Sequence, residues 1–311
     1  MTTLPVEAVK EPWSLQFTRD ARAAFENFHY QMGGDHALYY NQNLSEMLPT
    51  AYAAPHPEYI PLDRAIDDSI GTEVVWSTSE DEMPLSEYIV HPNHRVQGMM
   101  MIYKGKVVYE QYPGMGQMDR HAWMSPGKAT VGLILALLEE DGKLDMSKDV
   151  VDYVPELKGT NWDGISVLDA ANMETGLALE ETLDAIIDPS SIIVRFFSAE
   201  FGSPNPLTGE NENWLDILKT AEKIDGEAPG EVFRYSSAVT QVSVLLAENI
   251  DDMTWADLFQ ERVWGKVGAR GHHVPPDAGR DCGDPRADLD HARGFRPLRP
   301  DLHPQLGRHR T

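Results

Sequence analysis

A single cysteine, Cys282, stands among 311 residues, so no internal disulfide framework is available. Positive charge is scarce: 26 Lys and Arg face 50 Asp and Glu, for a formal net charge of −24. Such an acidic chain disfavours nucleic acid and anionic membrane as partners and suits solubility. Long apolar runs are missing, and no stretch approaches the roughly 20 apolar residues of a membrane-spanning helix. The opening Met1-Thr2-Thr3-Leu4-Pro5-Val6-Glu7 has neither the basic region nor the apolar segment of a secretion signal, so the expected location is cytoplasmic. The histidines lack regular ligand spacing, and neither metal nor cofactor is expected. At this length the chain suits one large or two modest domains with a real core.

What the chain does carry is concentrated at Ser125-Pro126-Gly127-Lys128, at the mouth of an apolar stretch. A serine and a lysine three apart at a helix start share one face. There a neighbouring amine can take or hold the hydroxyl proton, and the helix dipole favours the negative charge that develops. The spacing alone says little, since about one Ser-x-x-Lys arises by chance in a chain this long. Residues 129–138 are almost all apolar or small, which predicts a helix buried on most sides and ended by Gly142. The plainer alternative is a capping serine, with Pro126 at the first helical position and a solvated lysine.

The residues that follow decide between these. Asp141-Gly142-Lys143-Leu144-Asp145 leads to Tyr153-Val154-Pro155-Glu156-Leu157, and then to Ile165-Ser166-Val167-Leu168, ending in Met173-Glu174-Thr175-Gly176-Leu177. In this order behind the serine box, they resemble the serine β-lactamase superfamily. The branch is the class C-like (penicillin-binding-protein-like) one, with its esterases, D-amino-acid peptidases and 6-aminohexanoate-dimer hydrolases. The resemblance covers roughly residues 90–268. It implies an α+β (α/β) fold of the β-lactamase/transpeptidase type, an antiparallel sheet flanked by helices, with a helical subdomain over residues 150–225. The family's second box, a tyrosine just before another apolar helix, is matched by Phe233-Arg234-Tyr235-Ser236-Ser237. Alone, Tyr235 reads as a helix-start aromatic packed on the core; beside the serine box it reads as catalytic. Tyr-Ser-Ser in place of Tyr-x-Asn suits the esterase and amide-hydrolase branches better than the true β-lactamases.

The resemblance implies that Ser125 Oγ attacks a small ester or amide carbonyl to form an acyl-enzyme, while Lys128 and Tyr235 share the proton. A tyrosine titrates near ~10, so only adjacent positive charge such as Lys128 makes it a base at neutral pH. Which of the two takes the proton stays open. The Ser125 N–H would form half of an oxyanion hole, and the other half is expected on a strand beyond the tyrosine helix. There the chain departs from the family pattern. No Lys-Thr-Gly or His-x-Gly box follows residue 237, and Leu207-Thr208-Gly209 and Glu174-Thr175-Gly176 both precede Tyr235. A catalytically impaired, truncated relative, or a β-lactam-binding protein or D-amino-acid peptidase, are the alternatives.

The remaining organisation is read as three parts. Residues 1–60 form an extension without a chemical motif, helical near 20–30. Residues 61–269 form the hydrolase-like domain. Within it, residues 96–103 and 107–112 read as a hairpin turning at Lys104-Gly105-Lys106, and 196–213 as a loop over the cleft. His91 and His94 could be a ligand pair, but the strand that follows favours a turn. Thr254 and Asp257 resemble a capping box ahead of an apolar stripe of Trp255, Leu258, Phe259 and Val263. Residues 270–311 hold 8 Arg but no Lys, 6 Asp but no Glu, 6 Pro and 5 His, with no Ile, Met, Trp, Tyr, Ser or Asn. Nothing there alternates like a strand. The expectation is a disordered tail or, preferred, a reading-frame change in a GC-rich gene that replaces the family's last strands.

Overall fold

The chain is described by a computed structural model over residues 4–25, 33–54, 56–77, 80–91, 93–268 and 272–274. In chain order the helices are α1 (Leu15–Ala23), α2 (Asp35–Asn43), α3 (Leu85–Val90), α4 (Lys128–Glu140), α5 (Val167–Ala171), α6 (Leu183–Ile187), α7 (Ile192–Glu200), α8 (Trp214–Leu218), α9 (Ser237–Asp251) and α10 (Trp255–Arg262). The strands are β1 (Ala51–Ala53), β2 (Asp63–Arg64), β3 (Val74–Ser77), β4 (Glu80–Pro84), β5 (Met99–Tyr103), β6 (Lys106–Gln111) and β7 (His272–Val274). None of these helices is long and apolar enough to cross a membrane.

Most helix starts are written in local chemistry. Ser14, Ser166, Thr182, Ser191, Asn213, Ser236 and Thr254 each accept a backbone N–H from the first turn that follows. This satisfies donors that a helix leaves unpaired. Ser166 and Asp169 complete a reciprocal capping box. At the other end of α4, Gly142 takes φ +71, and Lys143 N–H reaches back to the Leu138 carbonyl at 2.9 Å. That left-handed residue closes the helix where the sequence places its end.

The expected hairpin forms, with strands over Met99–Tyr103 and Lys106–Gln111 rather than 96–103 and 107–112, so that Lys106 joins the second strand instead of the turn. Lys104 and Gly105 both take positive φ, as a tight two-residue turn between twisted strands requires. β2 adds to the far edge of β6 in parallel, giving the order β2-β6-β5. The main core lies on the helical side. Ile134, Leu135 and Leu138 of α4 meet Val239, Val242 and Leu246 of α9 and Leu258 of α10, with Trp162, Ile165 and Phe196 beneath the short helices. A separate aromatic cluster of Tyr39, Tyr40, Trp13, Phe17 and Phe25 holds the first two helices together.

Four details differ from the sequence reading. The α4 helix buries Val131, Ile134, Leu135 and Leu138 but leaves Ala129, Gly132, Leu133 and Ala136 exposed. Its apolar composition covers the whole circumference, whereas α9 and α10 pack on only part of it. Residues 196–200 of the supposed cleft loop finish α7, because Ser191 caps a run of helical apolar spacing. His272–Val274, inside the tail that shows no alternation, pairs antiparallel with β1, Ala51 opposite Val274. A ladder of main-chain bonds needs an open strand edge and not a side-chain pattern. Lastly, helical structure near the start runs over Leu15–Ala23, and the remainder of the 20–30 prediction reaches residues outside those described. The extension is also tied to the domain, with Ala53 fully buried in the main core.

Candidate active site

The polypeptide reaches Ser125 through a loop that is held rigidly from the extension. Ala122 N–H donates to the Asn41 carbonyl at 2.6 Å. Buried Gln97 takes hydrogen bonds from Asn41 at 3.2 Å and pairs with the His121 ring at 3.0 Å, and its amide donates to the Leu38 carbonyl. Met124 then adopts φ 52, ψ −142, a conformation that costs a non-glycine residue of order 1–3 kcal/mol. This reversal starts a 3-10 turn, Ser125–Gly127, from which α4 continues at Lys128. Ser125 is therefore no side-chain cap, and the residue is exposed. The backbone N–H of Ser125 stands at the first position of the turn, outside the helical ladder.

All three residues singled out from the sequence meet at one point. Lys128 Nζ donates to Ser125 Oγ at 3.1 Å, and the Tyr235 hydroxyl donates to the same oxygen at 2.6 Å. The ammonium also lies 5.1 Å from the centre of the Tyr235 ring, a cation–π distance. When either partner is in its deprotonated form it can accept the Ser125 proton as the hydroxyl attacks, while the other stays hydrogen-bonded to the same oxygen.

Tyr235 arrives between two residues that are each held by hydrogen bonds, Arg234 and Ser236. Arg234 N–H donates to the Met173 carbonyl at 2.8 Å. Its guanidinium grips Glu227 through two nitrogens and Glu180 through a third, at 2.7 and 2.6 Å. Those hydrogen bonds raise the Arg234 pKa and keep it charged. Ser236 N–H meets the Met173 sulfur, and the Ser236 hydroxyl caps α9. Gly176 supports this wall from behind: its φ is +68, and a Cβ there would stand 3.2 Å from the Glu227 carbonyl.

Two carboxylates near the site carried no signal in the sequence. Glu200, at the end of α7, is half-buried, and its carboxyl is pushed up to about 7 by burial. The Lys128 charge opposes this rise and the Glu181 charge adds to it. Both glutamates sit in unremarkable stretches far from residue 125, so only packing brings them near. His91 and His94 do not form a ligand pair with a third donor: the His94 ring stacks on Tyr88 at 3.7 Å. Among the described residues no cluster of three or more His, Cys, Asp or Glu could hold a metal. Cys282 and the tail histidines beyond residue 274 lie outside the described residues.

An apolar helix flanked by others beside a small sheet, with a Ser/Lys helix start facing a tyrosine from a second helix start, defines an α+β fold of the β-lactamase/transpeptidase type. A family model described as Beta-lactamase matches residues 84–307, and the chain belongs to that family. The match continues beyond residue 269, into the segment of unusual composition. A 6-aminohexanoate-dimer hydrolase of Paenarthrobacter ureafaciens is 26% identical over 229 residues, covering 73% of this chain and 54% of that protein. A solved structure titled "Putative 6-aminohexanoate-dimer hydrolase from Bacillus anthracis" superposes with a TM-score of 0.66 at 18% identity. It covers 79% of this chain and 64% of its own. A class C beta-lactamase from Rhodobacter sphaeroides reaches a TM-score of 0.41 at 18% identity over 60% of this chain and 48% of its own. The chain thus spans about half the length of the curated relative it matches.

Proposed function

We propose that this hydrolase-family chain is a serine hydrolase that acts on small esters or amides through an acyl-enzyme. The observation that carries the reading is the convergence of Lys128 Nζ and the Tyr235 hydroxyl on Ser125 Oγ, at 3.1 and 2.6 Å. Ser125 Oγ bonds to the carbonyl carbon, its proton passes to the Lys128/Tyr235 pair, and that pair returns a proton to the departing alcohol or amine. Water then attacks the acyl carbon and releases the acid and free Ser125. The Ser125 N–H faces the developing oxyanion from a helix start. The relative from Paenarthrobacter points to a linear amide as the substrate class. The test is a p-nitrophenyl ester burst together with fluorophosphonate labelling read by peptide mass spectrometry. One equivalent of adduct on Ser125 and none on Ser125→Ala is expected. A folded wild-type protein that forms no adduct would sink the proposal.

A second reading, a catalytically impaired relative, is favoured by the sequence, in which no Lys-Thr-Gly or His-x-Gly box follows residue 237. A nucleophile served by a single oxyanion donor would acylate without efficient turnover. A stoichiometric burst with no steady-state phase would select this reading over the first.

A further inference from the structure

We infer that Glu181 is a positioning residue for Tyr235; this rests on the acyl-transfer reading above. Glu181 brackets the tyrosine from both sides of the chain. Its N–H donates to the Tyr235 carbonyl at 2.9 Å, and its carboxylate accepts the Ser237 N–H. The two bonds skip Ser236 and pin the residues on either side of it to one rigid point. The carboxylate also sits where α9 begins, so its charge matches the positive end of the helix dipole.

The strut that carries Glu181 is anchored in the core. Leu177 and Leu179 are each 1% exposed, and Leu177 bridges to Lys223. Ala178 N–H donates to the Glu222 carbonyl at 2.8 Å. The neighbouring Glu180 holds the Arg234 guanidinium at 2.6 Å, so adjacent glutamates grip adjacent residues of the tyrosine segment. Tyr235 meets Ser125 across 110 positions of sequence, through one 2.6 Å contact at the tip of a long side chain. A small rotation of the backbone at Tyr235 is magnified at its hydroxyl. A misplacement of about 1 Å at a reacting group costs on the order of 100-fold in rate.

Removing the carboxylate leaves the backbone bond in place and frees the Ser237 N–H. Glu181→Ala should lower the second-order rate constant for fluorophosphonate labelling of Ser125 by roughly 10- to 100-fold, with far-UV circular dichroism unchanged. Glu181→Gln, which keeps the acceptor and drops the charge, should return the rate to within about threefold of wild type. In a Tyr235→Phe background Glu181→Ala should add almost nothing, because the group it positions is gone. If Glu181→Ala fails to fold, Glu181→Asp, one methylene shorter, is compared with Glu181→Gln in its place. Wild-type labelling rates in Glu181→Ala, an undiminished loss in the Tyr235→Phe background, or a Glu181→Gln as slow as Glu181→Ala would each overturn the assignment. Those outcomes require labelled wild-type protein. No adduct on wild-type Ser125 refutes the acyl-transfer reading itself, and the role of Glu181 with it.

Discussion

Glu200→Gln should make the protein more stable at alkaline pH, against the usual expectation for an acidic chain. Glu200 is half-buried, and burial dominates at its carboxyl. Its carboxyl rises from an ordinary 4.5 to about 7, first through burial, with Lys128 opposing and Glu181 assisting. A raised carboxyl binds its proton more tightly in the folded state than in the unfolded one. Its contribution to stability is therefore full below about pH 4.5 and is lost as pH climbs through about 7. At about 1.4 kcal/mol per pH unit, the displacement bounds the loss at about 3 kcal/mol, and roughly 2.5 of that falls between pH 5 and pH 8. Glutamine keeps the shape and cannot ionise. Urea unfolding of both proteins at pH 5 and pH 8 isolates the effect, because every other titrating group is common to the pair. Wild type should lose up to about 2.5 kcal/mol relative to Glu200→Gln over that interval. Parallel stabilities within about 0.5 kcal/mol, or a wild type that gains on the variant at pH 8, would refute the reasoning. The second result would mean that attraction to Lys128 outweighs desolvation of the carboxylate.

Two further expectations concern packing. Trp162 is 0% exposed, and its indole N–H donates to the Leu218 carbonyl at 2.9 Å. Trp162→Ala should cost about 3–5 kcal/mol in urea unfolding, with the Leu218 carbonyl also losing its partner, and a loss under about 1 kcal/mol would contradict its place in the core. The glycines should split by backbone and by space. Gly176→Ala meets a φ of +68 and the Glu227 carbonyl at 3.2 Å, so it should destabilise by more than about 1 kcal/mol. Gly132→Ala lies in helix with nothing within 4 Å of the new Cβ, and should stabilise by about 0.5–1 kcal/mol. Thermal unfolding of the two variants side by side checks both signs.

Local signals carried the fold a long way. The end of α4 at Gly142, the hairpin with its turn at Lys104-Gly105, and the helix start at Thr254 all rest on interactions within a few residues. Such interactions depend on residue type and spacing alone, so they are legible before any packing is known. Ser125 and Lys128 belong to the same class, because three positions along a helix fix their proximity. Tyr235 was legible only through the order of boxes along the chain, since nothing in its own surroundings points to residue 125.

Tertiary packing decided the rest. Periodicity can say that α4 is apolar but not which side is covered, because covering depends on where α9 and α10 cross it. Glu181 and Glu200 gain their significance from neighbours supplied by other elements, Ser237 and Tyr235 for one and Lys128 for the other. The same holds for Asn41, which braces the approach to Ser125 from an extension that has no motif, through Gln97 of the hydrolase-like domain. Residue chemistry along the chain specified the candidate site residues, whereas their mutual distances and proton affinities came from contacts between distant segments. A charge or a hydrogen bond acts through space, and separation along the sequence does not encode it.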